Sequence, residues 1–188
     1  DPVEIGTLIS LAAATRSSIS IENASTDFLR LEMLLFQKIG VRLEVHSIEQ
    51  HESDKYNLCT ITIKPHASLK PIRHLHNMPA PGIIPDILPP LAVLLTQAEG
   101  TSLVHDWMYE GRLRYIGELV KMGANANILD PHRAVIIGPT KLFGKEITSF
   151  DIRAGATLII AALIAEGESC INDIFHIDRG YECIEQRL

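Results

Sequence analysis

Three stretches of the chain, residues 7–14, 88–98 and 154–165, are apolar almost all the way round and rich in Ala, Leu and Ile. Their length and composition predict helices rather than strands. A helix without a polar stripe has no face to offer water, so all three are expected inside the molecule. Each is followed, after a short turn, by a run expected to form a strand: residues 18–22, 102–106 and 169–173. An amphipathic helix comes next. In residues 28–39 the apolar positions Phe28, Leu31, Leu34, Leu35 and Ile39 follow helical spacing, and in residues 113–122 Ile116, Leu119, Val120 and Met122 do much the same. Gly40 and Gly123 stand where the left-handed residue after a helix belongs. Alternation then predicts strands at 41–45 and 59–63, and at 126–129 and 134–137, with Asp130-Pro131-His132-Arg133 as the hairpin turn of the second pair.

The order of elements repeats, and so do the letters. Ala98-Glu99-Gly100-Thr101-Ser102 returns 67 positions later as Ala165-Glu166-Gly167-Glu168-Ser169, and the same offset sets Asp106 against Asp173 and Arg112 against Arg179. A fainter copy starts at Thr15, at an offset of 83, and aligns Lys38-Ile39-Gly40 with Lys121-Met122-Gly123. The additional length is expected in the polar loop around residues 46–57. Self-similarity of this kind marks one supersecondary unit used several times. The unit reads as βαβαββ or its cyclic equivalent, in about three copies, the last truncated. Buried helices imply sheets outside them, so the expected fold is α/β (α+β) with a pseudo-threefold axis, an inside-out barrel.

Composition narrows the classes of function. With 188 residues, 46% hydrophobic side chains and a net charge of -6, the chain is expected to fold as one ordinary domain rather than remain disordered. Seventeen Lys and Arg against 23 Asp and Glu give no broad basic footprint, and 5% aromatics are too few for a stacking platform, so no nucleic acid is expected as partner. The longest apolar stretch is broken by Gly155 and Thr157 and falls short of the ~20 residues of a membrane span, so no membrane is expected either. Cys59, Cys170 and Cys183 are odd in number and lack a Cys-x-x-Cys, which argues against a disulfide framework or structural zinc and for a cytoplasmic setting. The start at Asp1-Pro2 lacks a basic leader and an initiator Met, and Leu188 stands in a helix-like run, so both ends are expected to be cuts in a longer protein.

Charged residues at helix starts are the candidate chemistry. Asp86 falls at or near the N-cap of the second apolar helix, where a carboxylate accepts orphan N–H groups, and a plain cap is the preferred explanation from the residues alone. Arg153 holds the matching place one unit on, where a cation opposes the helix macrodipole. An anion held jointly by Arg153 and the helix N-terminus is one reason for it, an ion pair with Asp151 the other. Arg179 is expected to open the next helix in the same way, with Arg112 as a third such residue. Guanidiniums from adjacent repeats can converge on one phosphate or carboxylate, whereas simple pairing of Asp178 with Arg179 is the alternative. His66, His74 and His76 make only a weak metal reading, since His-x-His here has no fixed third ligand.

The run Asp151-Ile152-Arg153-Ala154-Gly155-Ala156, then Ala165-Glu166-Gly167, then His176-Ile177-Asp178-Arg179-Gly180-Tyr181-Glu182 closely resembles the UDP-N-acetylglucosamine 1-carboxyvinyltransferase family of enolpyruvyl transferases. Thr96-Gln97-Ala98-Glu99-Gly100-Thr101, Met122-Gly123-Ala124 and residues 4–7 are similar to it too, so the likeness covers nearly the whole chain. The resemblance implies two similar domains in the parent, each of three βαβαββ units, with residues 1–188 as most of the one that lacks the mobile loop. It implies transfer of enolpyruvyl from phosphoenolpyruvate to the 3′-hydroxyl of UDP-N-acetylglucosamine, the first committed step of peptidoglycan synthesis, and hence roles in cell wall biogenesis, cell shape and cell division. Asp86 matches the base that takes the sugar hydroxyl's proton, and Asp151 an aspartate beside the reacting carbon. Arg153 and Arg179 match arginines that bind the phosphate and carboxylate, Met108 an apolar contact to the nucleotide sugar, and Arg112 an arginine near the cleft. No metal or organic cofactor is implied. The second domain would supply half the site, so this chain alone is expected to be inactive. A different acceptor, or a non-catalytic anion-binding paralogue, are the alternatives.

Overall fold

The computed structural model describes residues 1–47, 57–181 and 184–187. Most of the expected 46–57 loop, together with Glu182, Cys183 and Leu188, lies outside the described residues.

The three apolar stretches are helices α1 (Pro2–Thr15), α3 (Leu88–Thr96) and α5 (Ile152–Ile164), and each packs against the other two. Every residue of α3 is buried. Leu91, Leu94 and Leu95 are fully enclosed, each contributing roughly 1.5–3 kcal/mol over leaving it in water. Pro89 and Pro90 fit the first turn of α3, where backbone N–H groups have no partner within the helix. No helix among the described residues is long and apolar enough to cross a membrane.

Among the described residues, three sheets accompany the helices. In the first, β1 (Ile19–Ser25), β2 (Arg42–Ser47) and β3 (Leu58–Lys64) run in the order β1-β3-β2, all antiparallel, and α2 (Arg30–Ile39) connects β1 to β2. Ile61 pairs with Ile21 on one side and Val45 on the other, and Ile61 and Ile63 turn fully inward. The second sheet holds β4 (His74–His76), β5 (Gly100–His105), β6 (Ala126–Asp130) and β7 (Arg133–Gly138) in the order β4-β5-β7-β6, with α4 (Arg114–Lys121) between β5 and β6. The third pairs β8 (Glu146–Thr148) with β9 (Cys170–Asn172), ahead of α6 (Phe175–Gly180) and α7 (Ile184–Arg187). The strands β5, β7 and β6 repeat the arrangement of β1, β3 and β2, and the parallel pair β8–β9 repeats β4–β5. The repeated unit expected from the letters is therefore present in the topology.

Two local expectations are corrected. The strands β4 and β8 are not among the elements expected from the sequence. Three residues are too few to display alternation, and both strands exist by parallel pairing to a partner more than 20 positions away. The second concerns α2. Of the spaced apolar set, Ile39 is buried and Leu35 partly so, but Phe28, Leu31 and Leu34 are exposed, and Glu32, Met33 and Phe36 are buried in their place. Both faces carry apolar residues at helical spacing, so periodicity alone does not choose between them. The glycines behave as expected: Gly40 and Gly123 each have φ of 105° at the end of a helix, a conformation that a Cβ would strain.

Candidate active site

Asp86 lies in a single 3-10 turn, Pro85–Ile87, that feeds directly into α3. It caps nothing: neither the turn nor α3 has a side-chain cap bond. Its carboxylate faces the next repeat, where Oδ1 accepts a hydrogen bond from Arg153 Nε. The same oxygen lies 3.6 Å from Arg112 Nη1. One carboxylate thus stands between two guanidiniums, one from the start of α5 and one from the loop between β5 and α4. The three side chains are between 24% and 31% exposed, so the cluster opens to solvent while remaining partly shielded. Burial works against the charge on Arg153, but the hydrogen bond and charge of Asp86, with Asp151 and Tyr109 behind them, prevail and hold its pKa above the ordinary value.

Asp151 is the N-cap of α5, accepting from the backbone N–H of Arg153 at 2.8 Å and of Ala154 at 2.9 Å. It offsets the positive helix end that Arg153 would otherwise oppose. Its carboxylate thereby occupies the backbone N–H groups expected to hold an anion jointly with Arg153. The pairing of Arg153 with Asp151 side chain to side chain, the simpler explanation from sequence, gives way to pairing with Asp86.

Arg112 is held from below. Its guanidinium carbon sits 3.4 Å from the centroid of the Tyr109 ring, a cation–π stack that fixes the plane of the fork. Its Nη1 is buried without a hydrogen-bond partner among the described residues. The loop bearing Met108, Tyr109 and Arg112 is organised by buried Asn77 and Asp106. Asn77 Nδ2 donates to Asp106 Oδ1 at 2.8 Å, Asn77 Oδ1 accepts from the Trp107 N–H at 2.8 Å, and Asp106 Oδ1 accepts from the Tyr109 N–H at 3.1 Å. Met108 is half-buried on this loop. Tyr115 lies fully buried behind it, its hydroxyl pKa pushed up by burial and then by Asp106 and Asp151.

Arg179 is not brought into the cluster. It lies in the last turn of α6 rather than at a helix start, is exposed, and makes no ion pair or side-chain hydrogen bond among the described residues. The helix begins earlier, at Phe175, so the motif's charged residues fall at its end. Tyr181, next in the motif, is buried and shares a 2.9 Å hydrogen bond with Thr7 of α1. The histidines do not assemble as the weak metal reading would need: His66 is buried apart, while His74 Nε2 lies 3.2 Å from His105 Nδ1. Among the described residues no three His, Cys, Asp or Glu side chains form a group able to hold a metal.

An apolar groove of about 250 Å³, lined by Leu31, Leu34, Leu35, Met78 and Ile83 among others, runs between α2 and the segment leading to Asp86. Sequence reasoning singled out neither Tyr109 nor Asn77, and it did not single out Glu32, whose Oε1 accepts from the Ile84 N–H at 2.8 Å. The signal for Glu32 was available: it is an acidic residue set among apolar ones in α2.

Comparison with known proteins finds relatives over the whole of the chain. The family model for EPSP synthase (3-phosphoshikimate 1-carboxyvinyltransferase) matches residues 1–188. A UDP-N-acetylglucosamine 1-carboxyvinyltransferase from Bacteroides thetaiotaomicron is 42% identical over 192 residues, covering 100% of this chain and 43% of that protein. The enzyme of the same name from Treponema denticola is 38% identical, with the same coverage of each. The chain thus spans 43% of the length of these curated relatives. The crystal structure of the enolpyruvyl transferase NikO from Streptomyces tendae superposes with a TM-score of 0.85 at 25% identity, over 100% of this chain and 42% of that one. An EPSP synthase from Acinetobacter baumannii, 19% identical, shares the fold with a TM-score of 0.77 over 95% of this chain and 43% of that one.

Proposed function

Because the chain belongs to the EPSP synthase family of carboxyvinyltransferases, we propose that residues 1–188 are one domain of an enzyme transferring enolpyruvyl from phosphoenolpyruvate to the 3′-hydroxyl of UDP-N-acetylglucosamine. The observation that carries the reading is Asp86 held between Arg153 and Arg112 at the junction of two repeats. The three helices in mutual contact support a closed, pseudo-threefold inside-out barrel. A second domain in the parent, a cytoplasmic location and a place in peptidoglycan synthesis, cell wall biogenesis, cell shape and cell division go with the reading.

The reaction adds the alcohol oxygen to C2 of the enol phosphate and a proton to C3, then eliminates phosphate from C2 and a proton from C3 to leave the enol ether. Addition needs a base within hydrogen-bond reach of the hydroxyl, and Asp86 is that base. The reactant is a dianion or trianion, so positive charge must be fixed in advance where it binds. Two guanidiniums against one carboxylate leave the cluster one positive charge in excess. An arriving phosphate or carboxylate competes with Asp86 for Arg153 and takes over the guanidinium. Asp86 is then released from its partner beside the site where the hydroxyl enters. Asp151, fixed at the start of α5, orients groups near the reacting carbon. Met108 lies against the nucleotide sugar.

Phosphate release by the complete parent protein, with both substrates present, tests the reading. The wild type is expected to turn over, Asp86→Asn to lose at least about 10²-fold in kcat, and the isolated 188-residue chain to be inactive. Near-wild-type kcat in Asp86→Asn would reject Asp86 as base. Turnover with other acceptors and not with UDP-N-acetylglucosamine would reject the acceptor.

A further inference from the structure

Glutamate is almost never fully buried without a reason in its surroundings. Glu32 is 2% exposed, among Leu29, Met33, Phe36 and Ile39, on the face of α2 that packs into the core. Its Oε1 accepts the backbone N–H of Ile84 at 2.8 Å. Ile84 is the N-cap residue of the 3-10 turn Pro85–Ile87, and Asp86 follows two residues later. We propose that Glu32 is a positioning residue for Asp86, anchoring the turn that aims this carboxylate at Arg153 and Arg112; the inference rests on the function proposed above.

The segment needs an anchor of this kind. Residues 78–84 contain Pro79 and Pro81, and Pro85 comes next; none of the three has an N–H to give. The hydrogen bonds from Gly82 N–H to Pro79 O at 2.9 Å and from Met78 N–H to Ile83 O at 3.4 Å only close the segment on itself. Among the described residues, the bond from Ile84 to Glu32 is the one that ties these seven residues' backbone N–H groups to another element. An apolar side chain of similar size would fill the space and leave the Ile84 N–H unpaired, free to shift the turn.

The next repeat uses the same device. Glu118 on α4 is 3% exposed, and its Oε2 accepts the N–H of Thr148 at 3.1 Å, three residues before Asp151. In both units a buried glutamate of the amphipathic helix grips the backbone just ahead of the acidic residue at the start of the following apolar helix. The pattern is a repeated support for the two carboxylates, beyond what packing of either helix requires.

Three variants of the complete parent protein test the proposal: Glu32→Gln, which keeps a carbonyl acceptor; Glu32→Leu, which keeps bulk alone; and Ile84→Pro, which deletes the donor instead. Ile84 has φ of -58°, so proline fits the backbone there. Turnover, KM for phosphoenolpyruvate, melting temperature and amide hydrogen exchange at residue 84 are the readouts. Glu32→Gln is expected to keep kcat within about 3-fold and to retain protection of the Ile84 amide. Glu32→Leu and Ile84→Pro are expected to lose at least about 10-fold in kcat with KM little changed, because displacement of a catalytic group by 1 Å costs up to about 10²-fold. Loss of amide protection in Glu32→Leu with kcat unchanged would overturn the proposal, as would an equal kcat loss in Glu32→Gln. A melting temperature lowered with kcat intact would show Glu32 to be structural only, also overturning it while the function stands. Failure of the function itself appears elsewhere, as a wild type without turnover, and removes the proposal with it. If Glu32→Leu does not fold, Ile84→Pro and Glu32→Gln decide by the same criteria.

Discussion

The pairing of Asp86 with Arg153 lends itself to a double-mutant cycle on the 188-residue chain, using Asp86→Asn, Arg153→Met and the double variant in urea titrations. Exposed ion pairs couple by about 0.2–1 kcal/mol, and hydrogen bonds to charged groups contribute about 1.5–3 kcal/mol. With side chains 29% and 31% exposed, solvent screening discounts the upper figure, and the expected coupling is about 1 kcal/mol. The single variants should be unequal. In Arg153→Met, Asp86 still has Arg112 Nη1 at 3.6 Å, so a partner remains. In Asp86→Asn, two guanidiniums face each other with no carboxylate between them. Asp86→Asn is therefore expected to destabilise more than Arg153→Met, and the coupling to shrink in about 1 M salt, where the Debye length is about 3 Å. A coupling under about 0.3 kcal/mol, or a reversed order of the two singles, would refute the reasoning.

Two further outcomes follow from buried groups. The pKa of His105 is lowered, first by burial and then by its neighbours His74, Arg133, His132 and His76, and that of His66 is lowered by burial and Arg16. Each folded-state pKa lies below the ordinary 6.5, so the unfolded chain binds more protons as pH drops through that value. Stability is thus full above about pH 6.5 and declines below it; melting should be earlier at pH 5.5 than at pH 7.5, and His66→Asn/His105→Asn should narrow the gap, an unchanged gap counting against it. Asn77→Ala removes a fully buried bridge between Asp106 and the Trp107 N–H, so a loss of about 1–3 kcal/mol is expected in urea unfolding, with altered fluorescence of the single tryptophan, Trp107. A loss under about 0.5 kcal/mol would show the bridge to be dispensable.

The repeats were legible because helices apolar on every side leave little choice of position, and because a 67-residue offset survives in the letters. The parallel strands at His74–His76 and Glu146–Thr148 were not, since nothing local demands them. The buried face of α2 was ambiguous for a different reason: Phe28, Leu31 and Leu34 spell out a stripe as convincing as the one that is buried, and only packing against β-strands and α-helices decides. At the site, spacing set Asp86 and Arg153 in equivalent places but could not tell a cap from a pair. That choice depends on where the side chain turns at one residue of a 3-10 turn. The exposed position of Arg179 depends on a helix starting at Phe175, with no cap in the letters to announce it.

Asp86 and Arg153 occupy the same position in consecutive units, 67 residues apart, and touch. Had the units kept one sequence there, like would meet like: two carboxylates or two guanidiniums pressed together and pushing each other away. The contact exists only because the copies have ceased to be copies at this one place. An idealised array of identical modules could reproduce the scaffold, yet it would have a repulsive seam where this chain has an ion pair.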